Sequence, residues 1–120
     1  MMEKRTLPHD HGTHTLALLE NMPELQTFEK VSGTFQMISD PTRLKILWLL
    51  CHSEECVINI AAAIDMSSPA VSHHLRVLKQ AGLLTSRREG KEAYYTLAKT
   101  AEAELVHTIV DSVFDMNCKK

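Results

Sequence analysis

Long apolar runs are missing from this chain. The longest unbroken stretch, Ile46-Leu47-Trp48-Leu49-Leu50-Cys51, falls far short of the roughly 18–20 residues that span a bilayer. The opening MMEKRTLPHDHGTHT is polar and lacks the apolar centre of a secretory signal. The expectation is a cytoplasmic protein with no membrane association. Cysteine is scarce: Cys51, Cys56 and Cys118 are an odd number at unremarkable spacing, which argues against a disulfide framework. Glycine is scarce too, with four residues, none of them in a phosphate-cradling loop. No nucleophile, base and orienting acid stand out as a triad, so nothing points to an enzyme. Repeats and low-complexity tracts are absent.

What remains is one domain's worth of ordinary globular sequence. The 120 residues are 44% hydrophobic and 23% charged, near globular averages, which excludes a disordered or fibrous class. The formal charge of −2, from 13 basic and 15 acidic residues, conceals an asymmetry. Between Pro69 and Lys91 stand Arg76, Lys79, Arg87, Arg88 and Lys91 against Glu89 alone, a local surplus of four that leaves −6 for the rest. A basic segment on an acidic body fits a protein that meets phosphate with one face; an ordinary solvated charged face is the alternative. Histidine is plentiful, seven in all, with His9, His11 and His14 close together.

The periodicity predicts a mainly helical chain with one small hairpin. Residues 1–22 read as a flexible, histidine-containing arm, followed by a domain over 23–118. Within it Leu25, Phe28, Val31, Phe35 and Ile38 recur at helical spacing. Asp40 and Pro41 suit the start of a second helix, whose stripe is Leu44, Leu47, Trp48 and Cys51. A short third helix runs from about Cys56 to Ile64, with Val57, Ile60, Ala61 and Ile64 inward. A fourth runs from about Pro69 to Ala81, stopped by Gly82. Strands at Leu83–Arg88 and Ala93–Leu97 flank the turn Glu89-Gly90-Lys91. The last helix, from about Lys99 to Met116, carries Leu105, Ile109, Val113 and Met116 on one stripe, widened by Val106, Val110 and Phe114. The order is α-α-α-α-β-β-α. The apolar face of the last helix exceeds what one small domain needs, and a subunit interface, together with the first helix, would absorb it.

The fourth helix carries the chemistry. Val71, Leu75 and Leu78 form its packed stripe, with His74 beside them; Ser72, His73, Arg76, Lys79 and Gln80 fall on the other side. That outer face has two cations, several hydrogen-bonding groups and no acid, which suits base edges in a major groove. A short helix, a tight turn and this helix make a helix-turn-helix. Ser67 and Ser68 at its start, with free backbone N–H groups and the helix dipole, favour a phosphate. Arg87, Arg88 and Lys91 around the hairpin turn make a basic wing.

The runs SDPTRLKILWLL, EECVINIAAAIDMSSPAVSHHLRVLKQAGLL and SRREGKEAYYTL together resemble the ArsR/SmtB family of bacterial winged-helix repressors. The likeness covers about residues 24–118. Its motifs are DPTRL opening a helix, AVSHHL in the recognition helix, and Gly90 followed by Tyr94-Tyr95 in the wing. The resemblance implies a winged helix-turn-helix homodimer that binds double-stranded operator DNA and leaves it when an inducer binds.

The resemblance also nominates three sensing sites. Metal-sensing members carry a cysteine at the start of the third helix, matched here by Cys56; the second cysteine of many such sites is replaced by Ile58, and an acid used by zinc sensors by Asn59. Remaining ligands come from the arm of the other subunit, here His9, His11 and His14. Imidazoles with one thiolate suit Zn²⁺, with Cd²⁺ or Pb²⁺ as alternatives. The bland counterpart is a solvated arm and a small buried Cys56. The family's zinc site on the last helix would fall on Lys99, Ala101, Ser112 and Asp115, and is absent in its usual form. His107 and Asp111, at i, i+4 on one face, offer a metal a different register, or are a simple surface pair. Redox-sensing members pair cysteines on the second and last helices, which would enlist Cys51 and Cys118; Cys51 on a packed stripe also reads as core. His52 ends the second helix, where a cation suits the dipole. The expected function is a metal-responsive repressor. A thiol- or arsenical-responsive repressor of the same fold is the alternative, and a module that binds protein rather than DNA is the third.

Overall fold

The computed structural model describes residues 6–114, so Cys118 and Met116 lie outside the described residues. Among these, six helices and three strands follow in the order α1 His14–Glu20, α2 Leu25–Ile38, α3 Pro41–Leu50, β1 Glu55–Cys56, α4 Val57–Ile64, α5 Ser68–Gln80, β2 Leu84–Glu89, β3 Glu92–Leu97 and α6 Ala101–Val113. The chain divides into two compact units, Met1–Ser32 and Gly33–Lys120.

The first unit holds α1 and the start of α2. Helix α1 lies inside the segment read as an arm. It is seven residues long, has no side-chain cap at Thr13 and buries no residue. The run Leu16-Ala17-Leu18-Leu19 explains it, since these are strong helix formers. On α2 the expected stripe is present but uncovered: Leu25 is 70% exposed, Phe28 49% and Val31 42%.

The second unit is built around one core. Ile46, Leu47 and Leu50 of α3 meet Ile60 and Ala61 of α4, Val71, Leu75 and Leu78 of α5, then Leu83, Leu84, Val106 and Val110. The expected inward face of α3 is corrected here. Trp48 is 41% exposed and Ile46 is buried in its place, because the side chains at i, i+1 and i+4 face the core. Trp48 instead lines an open cleft with Pro41, Leu44, Lys45 and Phe114. A similar rotation holds for α6, which buries Ala103, Val106 and Val110. Leu105, Val113 and Phe114 point outward, so the stripe named first from the sequence lies mainly on the uncovered side.

Caps and turns set the ends of the elements. The Asp40 carboxylate accepts the Arg43 N–H at 2.9 Å, which holds its pKa below the ordinary value and starts α3. Helix α4 ends at Asp65 in a left-handed conformation, φ 60°, which aspartate tolerates better than most side chains. Ser67 then accepts the Ala70 N–H at 3.3 Å and caps α5. At the other end of α5, Gly82 (φ 81°) donates to the Lys79 carbonyl and Leu83 to that of Leu78, both at 3.0 Å, the paired bonds of a Schellman stop. Thr100 accepts the Ala103 N–H at 3.1 Å to begin α6 and donates to the Gly82 carbonyl at 2.7 Å, joining the two helix ends.

The sheet is antiparallel, in the order β1-β3-β2. Strands β2 and β3 pair from Leu84 with Leu97 to Glu89 with Glu92, leaving Gly90 (φ 63°) and Lys91 as a two-residue turn. Strand β1 is a difference from the sequence reading. Cys56 does not open a helix; it pairs with Tyr94 and precedes α4 as its cap residue. Two residues are too few to leave a periodic signal.

Candidate nucleic-acid interface

Helix α4, the turn through Asp65 and Met66, and helix α5 form the helix-turn-helix, with β2 and β3 as the wing. Along α5, Val71, Leu75 and Leu78 are buried, so the amphipathic division read from the sequence is the one that folds. His73, Arg76, Lys79 and Gln80 are exposed and Ser72 is half-buried. The helix carries no acid. Ser67 is its cap and Ser68 its first residue. His74 is half-buried, and its Nδ1 is a buried nitrogen with no hydrogen-bond partner among the described residues.

The wing cations divide into two sets. The Lys79 ammonium donates to the Ser86 hydroxyl at 2.7 Å, linking α5 to β2. Side chains alternate faces along a strand, so Arg88 shares the face of Ser86 and Arg87 takes the opposite one. Arg87 is fully engaged there. Its Nε and Nη2 donate to the two Glu54 oxygens, each at 2.9 Å, and its Nη1 to Glu89 at 3.0 Å. Its guanidinium sits 4.9 Å from the centre of the Tyr94 ring. The Arg87 bonds hold the Glu54 carboxyl below its ordinary pKa, and the two acids raise that of Arg87. Desolvation, with the Cys56 thiol the next contributor, raises that of Tyr94. Arg76, Arg88 and Lys91 are exposed and have no ion-pair partner among the described residues. Glu54 was invisible to sequence reasoning, since it lies 33 positions from Arg87 and in a loop.

His9 and His11 are exposed with rings stacked 5.8 Å apart, and His14 is the first residue of α1. Cys56 is buried, 8% exposed. Cys51 is half-buried and packs on the core. His107 and Asp111 do come together, Nε2 to Oδ2 at 3.5 Å. His52, read from the sequence only as a cation at a helix end, joins them: its Nε2 lies 3.4 Å from Asp111 Oδ1. The i, i+4 pair was the only available signal, and it could not indicate a third member from the turn after α3.

Residues 40–86, from the start of α3 through the helix-turn-helix and into β2, match the family of bacterial regulatory proteins named for arsR. A transcriptional repressor SmtB homolog of Synechocystis is 33% identical over 101 residues, spanning 82% of this chain and 76% of that one. The chain belongs to the ArsR family. A cadmium resistance transcriptional regulatory protein, CadC, of Listeria innocua is 48% identical over 66 residues, 54% of this chain and 56% of that one. Among solved structures, a homodimeric winged helix-turn-helix DNA-binding domain from Mycobacterium bovis superimposes with a TM-score of 0.63 at 30% identity, covering 88% of this chain and 89% of that one. The ArsR family and these relatives are transcriptional regulators, not enzymes. No helix among the described residues is long and apolar enough to cross a membrane.

Proposed function

We propose that this ArsR-family protein is a repressor that binds a palindromic operator as a homodimer and releases it when a metal ion binds. The observation that carries the DNA reading is the acid-free outer face of α5, joined to the wing by the Lys79–Ser86 bond. Ser72, His73, Arg76 and Lys79 would meet base edges and nearby phosphates in a major groove. Ser67 and Ser68 would hold a phosphate at the helix N-terminus. Arg88 and Lys91 would supply the wing contacts, with Arg87 joining them only when it leaves Glu54. Two copies would present their α5 helices to successive grooves about one helical turn apart, roughly 34 Å. The uncovered apolar faces of α2 and α6 support the dimer, since such faces are costly in water.

The inducer in this reading is Zn²⁺, with Cd²⁺ and Pb²⁺ as the nearest competitors. The cadmium resistance in the name of the CadC relative supports a metal. The sequence offers Cys56, His9, His11 and His14 as donors, a set of borderline softness suited to these ions. To empty the operator, the ion must bind the released geometry better than the bound one, by about 1–3 kcal/mol or more. The test is a titration of the reduced, metal-stripped protein with each ion, following fluorescence anisotropy of labelled DNA from its own promoter. Release at stoichiometric metal is the expected result. No release by any ion, with release by oxidants instead, would transfer the role to the cysteines.

A further inference from the structure

We propose that His52, His107 and Asp111 form a second divalent-metal site, contained within one protomer and joining the end of α3 to α6. The three side chains each offer one ligand atom, and these atoms all lie within 4.8 Å of one another. Two ligands held about 2.0–2.1 Å from a tetrahedral ion stand about 3.3 Å apart. The Asp111 carboxylate already meets His52 at 3.4 Å and His107 at 3.5 Å, so small rotations suffice. The two imidazole rings are 5.5 Å apart and nearly perpendicular, at 86°, which lets both Nε2 atoms converge. The side chains are 16%, 31% and 28% exposed for His52, His107 and Asp111. The site is therefore sheltered on one side and open to water on the other. Two neutral imidazoles, one carboxylate and an open position suit Zn²⁺, Co²⁺ or Ni²⁺ in preference to hard Ca²⁺ or Mg²⁺.

The placement also gives such an ion something to act on. His52 is two residues before Glu54, the acid that holds Arg87 of the wing. The intervening Ser53 carbonyl accepts the Thr96 hydroxyl of β3 at 3.0 Å. Fixing His52 to α6 fixes the root of the loop that decides whether Arg87 is available to a phosphate. This part rests on the repressor reading; the existence of the site does not.

Co²⁺ is the probe for the site, with Zn²⁺ as competitor, on the full-length protein. Cys56→Ser removes the thiolate of the other candidate site. That variant is expected to bind one Co²⁺ per protomer with ligand-field absorption and no sulfur-to-cobalt charge-transfer band. Adding His107→Gln or Asp111→Asn is expected to weaken binding at least 10-fold, and His52→Gln likewise, with circular dichroism showing the helices intact. Unchanged cobalt affinity in both α6 variants would overturn the site. Should one variant unfold, the other decides. Cobalt binding without any change in operator affinity would leave the site standing and remove its link to the wing. Failure of the wild type to bind operator DNA at all would count against the repressor reading alone.

Discussion

Arg87 and Glu54, 33 positions apart, meet through two parallel bonds of 2.9 Å. This fork geometry is the most directional an ion pair offers, and it occupies one wing cation whose side chain stays 51% exposed. Glu54→Gln is therefore expected to raise affinity for unrelated duplexes and to steepen the salt dependence by about one unit of slope, as one more phosphate is neutralised. Arg87→Ala is expected to do little, whereas Arg88→Ala or Lys91→Ala flattens the slope by about 0.9 each. Equal effects at all three cations would show that the clasp opens on DNA.

The same pair sets a pH dependence. Glu54 is held below its ordinary pKa of 4.5 by Arg87. A carboxyl lowered in the folded state contributes its stability fully above the unfolded value and loses it as the pH falls through the folded one. The clasp is expected to persist throughout the neutral range and to open only below pH 4.5. NMR titration of the β2 and β3 amides would follow it, and Glu54→Gln should abolish that transition.

Arg76 stands exposed on α5, with no acid on its helix. Arg76→Ala is expected to blur base preference, costing about 1–3 kcal/mol at one operator position while leaving binding to random duplex much less changed. A panel of single-base operator variants would measure it. A uniform loss over all sequences would make Arg76 a phosphate contact.

Thr100 serves two elements at once, as the cap of α6 and as donor to Gly82. Thr100→Ala is expected to lower stability by about 1–3 kcal/mol, because a cap is lost and a part-buried carbonyl loses its donor. Thr100→Ser should recover most of it in a denaturant titration.

Phe28 projects from α2 at 49% exposure. Phe28→Glu is expected to shift the protein toward monomer in sedimentation and to weaken operator binding with it. A charge on a truly solvent-facing position would change neither.

The legible parts of the fold were those with a local cause. The Asp40-Pro41 start and the Gly82 stop each act within a few residues, and both appear as read. The two faces of α5 were legible because an amphipathic helix of 13 residues repeats its pattern several times. The faces of α3 and α6 were misassigned for the opposite reason. Helix α3 has no clear polar face, and the apolar arc of α6 is broader than the core contact, so periodicity could not say which part meets the core and which waits for a partner. Strand β1 and the Glu54 clasp depend on residues that only the folded chain brings together. The same holds for His52, just past the end of α3, beside His107 and Asp111 of α6.

Lys79 of α5 and Ser86 of β2 are joined at 2.7 Å, and the Schellman stop between them leaves no slack in the connection. On the repressor reading each protomer would offer DNA one stamp in which reading head and wing are held together. A ligand would then move the two parts together more readily than one against the other within a protomer. Its available levers are the distance and angle between two stamps and the number of positive charges that each one shows.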